Sequence, residues 1–279
     1  MVIAGAAEQS LKDGDPAAAL ARLQEQVRAR PEDAKLRVFL FQLLCVLGQW
    51  ERALNQLAVA SKLDAGVLGM AQMYGDAVRC ELIRHEVFAG RKSPMVFGEP
   101  DQWLALLIES LLVAGQGEVG RSEDLRLRAF EAADTSAGLI NGDAFEWIAD
   151  ADSRLGPVLE AVINGRYYWV PFARLRSITL EAPADLRDFV WMPAQMVFEN
   201  GGEAVGLLPA RYPGSETSAD GLIALGRKTI WEEISPEAHR GLGQRVLTTD
   251  GGDVSLQALR TLEINATDAS PADDGSRDG

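Results

Sequence analysis

The stretch GDPAAALARL, residues 14–23, returns 34 residues later as GQWERALNQL, residues 48–57. This offset is the period of tetratricopeptide repeats, in which each unit is a pair of helices. One pair cannot bury its apolar face alone, so neighbouring pairs stack. The sequence therefore predicts two stacked helix pairs, and the alternative is an ordinary helical bundle with a coincidental similarity. Stacking requires six matched side chains to be mostly buried: Ala19, Leu20, Leu23, Ala53, Leu54 and Leu57.

Residues 1–134 have the apolar periodicity of successive helices, with glycine and proline confined to their boundaries. This half is predicted to be a helical, tetratricopeptide-like module. The helices are expected at residues 16–29, 31–47, 50–63, 67–89, 101–114 and 122–133. Residues 90–100 contain two prolines and two glycines and are expected to join two of them.

The pattern changes after residue 134, where aromatic and β-branched residues alternate with glycine and proline over short distances. Residues 141–264 are therefore predicted to form a smaller domain with a small sheet, and the whole chain an α+β fold. A helix is expected over 154–163, and a hairpin turn at 200–202. Strands are expected at 145–149, 167–170, 177–180, 196–198, 204–208, 228–232 and 255–264. The acidic residues 265–279 are predicted to be a disordered tail.

The composition restricts the function classes. The chain has 279 residues, of which 47% are hydrophobic, 27 are Lys or Arg and 41 are Asp or Glu, so its net charge is −14. Such an acidic chain is a poor candidate for binding nucleic acid or an anionic membrane. The longest apolar run is too short to span a bilayer, and no signal peptide is apparent. We expect a cytoplasmic protein in which Cys45 and Cys80 are buried thiols.

One motif places two carboxylates close together. In the sequence WIADADSRLGP, residues 147–157, Asp150 and Asp152 lie two residues apart. Such a pair can bind a divalent cation or share acid and base roles. The structural alternative is that one of them caps the following helix while Arg154 neutralises its neighbour. The structural alternative is favoured, because the sequence supplies no third metal ligand.

Other candidate residues lie in the second half of the chain. Arg187, in a charged segment at 183–191, is either offered to an acidic partner or held in an internal salt bridge. Ser215 lacks the Gly-x-Ser-x-Gly elbow of a hydrolase nucleophile, and His85 and His239 are isolated. Aromatic residues are frequent here, and any left exposed would suit a protein interface.

Four segments resemble the ImpE/TagJ (SciE-type) family of accessory proteins of bacterial type VI secretion systems, and the likeness extends over about residues 1–264. The segments are FEWIADADSRLGPVLE (145–160), GRYYWVPF (165–172), DLRD followed by VW (185–191) and RYPGSE (211–216). The resemblance implies a non-enzymatic adaptor without a cofactor. It also implies that the protein binds an N-terminal amphipathic helix of the small sheath subunit and is linked with the AAA+ ATPase that disassembles contracted sheaths.

Two hypotheses follow. The first is an adaptor that modulates sheath assembly or recycling, and the second is a metal-dependent hydrolase that uses Asp150 and Asp152. For the adaptor, the proposed contacts are Tyr167, Tyr168, Trp169, Arg187 and Tyr212, each of which is alternatively a core or salt-bridge residue. The acidic composition favours a ligand helix with basic flanks.

Overall fold

Helices fill the first half of the computed structural model, which describes residues 4–265. They are α1 (Ala4–Lys12), α2 (Pro16–Ala29), α3 (Ala34–Val46), α4 (Trp50–Leu63), α5 (Leu68–Phe88), α6 (Gln102–Gly115) and α7 (Val119–Ala132). Each of the six predicted helices is present, with its ends within three residues of the prediction. The first helix, α1, was not predicted as a separate element.

The 34-residue repeat corresponds to equivalent places in two helix pairs, α1–α2 and α3–α4. Gly14 and Gly48 follow α1 and α3 with φ values of 79° and 63°, a left-handed conformation that glycine adopts without strain. Ala19 and Ala53 are both fully buried, Leu23 and Leu57 are buried, and the two remaining matched leucines are partly buried. The predicted stacking of two helix pairs is confirmed.

The second half is built from strands. They are β1 (Met95–Val96), β2 (Gly138–Ile140), β3 (Asp143–Phe145), β4 (Ile148–Asp150), β5 (Val158–Ile163), β6 (Arg166–Pro171), β7 (Leu175–Leu180), β8 (Trp191–Phe198), β9 (Glu203–Pro209), β10 (Thr229–Ser235), β11 (Ala238–Gly243), β12 (Val246–Thr249), β13 (Gly252–Ser255) and β14 (Thr261–Ile264). A short helix, α8 (Gly221–Ala224), precedes β10, and 3₁₀ turns occupy Phe172–Arg174, Leu186–Phe189 and Ser215–Thr217.

The principal sheet, within the described residues, has nine strands in the order β1-β6-β5-β9-β8-β7-β14-β2-β3. Strand β1 lies parallel to β6, and the other pairs are antiparallel. A three-stranded sheet, β13-β12-β4, and the hairpin β10-β11 accompany it. The α+β class is therefore confirmed, although the sheet is larger than the small one expected. The loop at 90–100 supplies β1 in addition to joining α5 to α6.

Three predictions about local structure were wrong in whole or in part. Residues 154–163 do not form a helix, because the chain makes a turn at 151–155 and then enters β5, whose six residues are all buried. A short apolar run with both faces covered has no period that separates strand from helix. The expected strand at 145–149 is divided between β3 and β4, and only the two ends of 255–264 are in strands. The predicted hairpin turn at 200–202 does join β8 to β9.

Two hydrophobic cores lie on opposite faces of β5. Val158 and Val162 belong to a core shared with the helices, whereas Leu159, Ala161 and Ile163 belong to a second core among the strands. The helices therefore pack directly on one face of the principal sheet. The link between α7 and β2 spans residues 133–137.

Three expectations concern the chain as a whole. Cys45 and Cys80 are free and buried, as predicted. Within residues 4–265, no helix is long and apolar enough to cross a membrane. The predicted acidic tail, beyond Asn265, lies outside the described residues.

Candidate partner-binding site

Both carboxylates of the 147–157 motif accept hydrogen bonds within the protein, although no hydrogen bond reaches Asp150 Oδ2. Asp152 accepts hydrogen bonds from Arg154 Nε at 2.9 Å, Arg154 Nη2 at 2.6 Å and the Gly241 N–H at 3.0 Å. Asp150 accepts from the Asp152 N–H at 2.9 Å and from the Tyr212 hydroxyl at 3.0 Å. The expected helix cap is wrong, because a strand follows. Asp150, Asp152 and Arg154 nevertheless contact one another in a buried turn that ties β4 to β11.

A buried ion network lies between α5 and β5. Glu160, fully buried on the helix-facing side of β5, accepts hydrogen bonds from Arg84 Nε at 2.6 Å and Arg84 Nη2 at 2.9 Å. It also accepts from Arg245 and from the Tyr167 hydroxyl. Burial alone would raise the pKa of Glu160, but Arg245 and Arg84 lower it to about 2. The carboxylate is therefore charged and compensated, as a buried ion must be.

The network extends to Asp150 through Arg245, whose Nη1 lies 3.3 Å from Asp150 Oδ2. Burial raises the pKa of Asp150 to about 7, although Arg245 opposes this shift. Of the two carboxylates beside Arg245, Glu160 therefore holds the larger share of the negative charge that balances the guanidinium, and Asp150 holds the smaller share.

Arg211, from the RYPGSE segment, joins the strand half of the chain to the end of α3. Its guanidinium donates to the carbonyl oxygens of Val46 at 2.8 Å, Cys45 at 3.2 Å and Ala224. The last carbonyls of a helix have no partner within that helix, so a buried cation placed there satisfies them. Arg84 Nη2 in turn donates to the Arg211 carbonyl at 2.8 Å. The contacts of Arg211 therefore connect the repeat module to the strand half of the chain.

Three of the five proposed contact residues are core residues instead. Tyr167, Trp169 and Tyr212 are 2%, 0% and 0% exposed, so they present no surface to a partner. Trp169 donates its indole N–H to the Tyr167 hydroxyl at 2.8 Å. The sequence signal was the aromatic character of these residues, which does not distinguish a buried aromatic side chain from an exposed one.

The other two proposed contacts are also engaged internally. Tyr168 is half-buried and packs edge-on against Phe97, with ring centroids 5.9 Å apart. Arg187 forms a salt bridge to Asp185 at 2.8 Å, and its guanidinium lies over the Tyr74 ring. Its contacts match the internal salt bridge considered from sequence.

The residues considered from sequence for a hydrolase make internal contacts. The described residues include no group of three or more His, Cys, Asp or Glu that could hold a metal ion. Ser215 is buried and donates to the Tyr212 carbonyl, while accepting from the Gly243 N–H. Asp150 and Asp152 are likewise buried and bonded to protein groups, so nothing here favours the hydrolase hypothesis.

An open groove of about 550 Å³ lies between the repeat helices and the 3₁₀ turn at Leu186–Phe189. Its walls come from α1, α3 and residues 184–189, with one residue of the segment before β10. We call it the α1/α3 groove. Its apolar lining consists of Leu11, Leu36, Val38, Phe39, Ala184, Leu186 and Phe189. Apolar grooves bounded by polar rims are the surfaces on which amphipathic helices dock.

The rim of the α1/α3 groove carries three cations, Lys12, Lys35 and Arg227, all exposed. Within the described residues, none of the three has a carboxylate within 4 Å. Their proximity has no signature in the sequence, because Arg227 is about 190 residues from Lys35 along the chain. Leu36 and Phe39 are three residues apart, so the sequence does place both on one face of α3. Residues that pack in a core have the same spacing, so this spacing does not identify a groove.

Comparisons with known proteins agree with this architecture. A tetratricopeptide repeat model matches residues 10–68, and the model of the ImpE protein family matches residues 142–263. The crystal structure of protein VPA1032 from Vibrio parahaemolyticus has a TM-score of 0.85 at 28% identity, over 94% of this chain and 98% of that one.

The type VI secretion system accessory component TagJ of Pseudomonas aeruginosa is 49% identical over 267 residues, which are 96% of this chain and 94% of that protein. This identity extends through the repeat module as well as the region that matches the family model. The chain therefore belongs to the ImpE/TagJ family.

Proposed function

We propose that this protein is a non-enzymatic adaptor of a type VI secretion system that works in the cytoplasm and binds the N-terminal amphipathic helix of the small sheath subunit. The observation that carries the proposal is the 49% identity, across nearly the whole chain, to a type VI secretion accessory component. By holding that helix, the adaptor modulates sheath assembly or its recycling by the sheath-disassembling AAA+ ATPase.

The architecture supports a role in protein binding. A helical ligand presents apolar anchors at positions i, i+3, i+4 and i+7, and it needs an apolar groove to receive them. The α1/α3 groove supplies such a surface. In contrast, Asp150 and Asp152 are buried and accept hydrogen bonds from groups of the protein, which supports a structural role for both carboxylates.

The test is a titration of the full chain into a fluorescently labelled peptide that spans the N-terminal helix of the small sheath subunit from the same secretion system. A scrambled peptide of the same composition is the matched control. We expect saturable binding of the native peptide and none of the scrambled one. No binding of the native peptide at high micromolar concentration would refute the partner assignment.

A further inference from the structure

Another cavity, of about 460 Å³, lies where the ends of α5 and α6 meet α7 and the hairpin β10–β11. We call it the α7 cavity. Its lining includes three arginines, Arg126, Arg154 and Arg240, and one carboxylate, that of Glu233. Glu233 is exposed, so water screens its charge. The cavity is therefore cationic in a chain whose net charge is −14.

Two buried polar residues of α7 line this cavity together. Ser122 and Arg126 are four residues apart, so their side chains leave the same face of the helix, one turn from each other. They are 8% and 5% exposed. Within residues 4–265, the Ser122 hydroxyl has no hydrogen-bond partner. A buried hydroxyl without a partner carries a free-energy cost, which an acceptor in the cavity would remove.

The Arg126 guanidinium is only partly compensated. Among the described residues its one hydrogen bond runs from Nη2 to the Ser235 hydroxyl at 3.4 Å, and the nearest carboxylate oxygen, Glu123 Oε1, is 3.6 Å away. That oxygen already accepts from the Ser235 hydroxyl at 2.8 Å. Burial lowers the pKa of Arg126, but an arginine stays charged. Arg126 is thus a buried cation with most of its five N–H donors available.

Arg154 and Arg240 enter the cavity from the strand half of the chain. Each directs Nε and Nη2 to one carboxylate, Arg154 to Asp152 and Arg240 to Glu232. In both arginines Nη1 makes no hydrogen bond within the described part of the chain. The Arg154 guanidinium also lies 4.7 Å from the centre of the Phe88 ring, which lines the cavity too. Cationic and aromatic surfaces are therefore adjacent.

We infer that the α7 cavity binds a small organic phosphate, a phosphomonoester with an apolar body. The phosphate accepts hydrogen bonds from Ser122 and Arg126, and the body lies against Phe88. Donors from α7, from the turn at 151–155 and from β11 suit a tetrahedral group, whose oxygens point in several directions, better than a planar carboxylate. The inference goes beyond the proposed function and does not rest on it.

The test is isothermal titration calorimetry of the full chain, in a buffer without phosphate, with phenyl phosphate as the probe. Benzoate carries a planar carboxylate on the same ring, and benzyl alcohol carries no charge. We expect saturable binding of phenyl phosphate with a dissociation constant of about 1 mM or tighter. Benzoate is expected to bind about tenfold more weakly, and benzyl alcohol not to bind.

Variants of α7 locate the binding. Ser122→Ala removes a hydroxyl that has no partner among the described residues, and alanine favours a helix, so the fold is retained. Arg126→Gln removes the buried charge, and Arg128→Gln, exposed two residues further along the same helix, is its matched control. We expect about a tenfold loss of affinity for phenyl phosphate in Ser122→Ala, a larger loss in Arg126→Gln and no change in Arg128→Gln.

The inference is overturned if phenyl phosphate shows no saturable binding up to about 10 mM, or if Ser122→Ala binds it as tightly as the wild-type chain. Benzoate binding as tight as that of phenyl phosphate overturns the choice of phosphate. An equal loss in Arg128→Gln would mean attraction to surface charge and overturns the cavity. If circular dichroism shows that Arg126→Gln is unfolded, Ser122→Ala decides alone. The peptide titration tests the proposed function separately from these measurements.

Discussion

Replacing Glu160 by Gln tests whether the buried ion network holds the helices on the sheet. The substitution keeps the shape of the side chain but removes its charge. It leaves the guanidinium groups of Arg84 and Arg245 buried with fewer anions, and it directs an amide N–H₂ toward donors. Arg84 keeps Glu81 at 3.3 Å, and Arg245 keeps Asp150 at 3.3 Å. The remaining compensation is therefore incomplete.

Two routes give the same magnitude for this variant. A fall of the Glu160 pKa from 4.5 to about 2, at about 1.36 kcal/mol per pKa unit, corresponds to about 3 kcal/mol of stability at neutral pH. Removal of one partner from a buried ion pair typically costs about 3–5 kcal/mol. We expect the free energy of unfolding at pH 7 to fall by about 3–5 kcal/mol.

The assay is urea unfolding followed by tryptophan fluorescence, since Trp169 and Trp191 lie beside the network. Glu181→Gln, at an exposed position without a partner among the described residues, is the control and should change stability by less than about 0.5 kcal/mol. The pKa of Glu160 is lower in the folded chain, so its contribution is complete above pH 4.5 and disappears as the pH falls toward 2. A loss below about 1 kcal/mol, or a difference independent of pH from 7 to 3, would refute the reasoning.

Three further predictions concern other parts of the chain. Asp152→Ala removes the acceptor for the Arg154 guanidinium and a buried N–H, and calorimetry should show a loss of about 3 kcal/mol, more than the roughly 1 kcal/mol of a simple cap. Gly48→Ala places a side chain at a φ of 63°, so urea unfolding should show a loss of about 1–2 kcal/mol, and an unchanged midpoint would contradict the turn geometry. Burial raises the pKa of the Cys45 thiol, and raises that of Cys80 to about 12, so a thiol reagent at pH 8 should label either residue only after unfolding.

The sequence predicts local structure where its periodicity is unambiguous. The helices were located to within three residues because their apolar positions recur every three or four residues. Strand β5 was mistaken for a helix because, apart from Glu160, its residues are apolar on both sides, with one core on each face. The difference between helix and strand was decided there by tertiary contacts, which the local pattern does not contain.

The site was less predictable than the fold. Tyr167, Trp169 and Tyr212 were predicted as partner contacts but are buried, because aromatic character alone does not distinguish a buried position from an exposed one. The α1/α3 groove brings Lys12 and Lys35 together with Arg227 from the far half of the chain. Such a juxtaposition follows from packing of the whole chain and has no signature in any single segment.

The segments that carry the family resemblance mostly form contacts that connect the helical half of the chain with the strand half. Asp150 and Asp152, Glu160 and Arg211 all lie in those segments, and each is buried in contacts that tie strands to each other or to the helices. An alanine scan of these residues would reduce partner binding by destabilising the fold. Core residues would then be mistaken for residues that contact the partner. The segment at 185–191 differs, because its turn also forms a wall of the open groove. Exposed variants on that wall and on the opposite lysines therefore separate partner contact from folding.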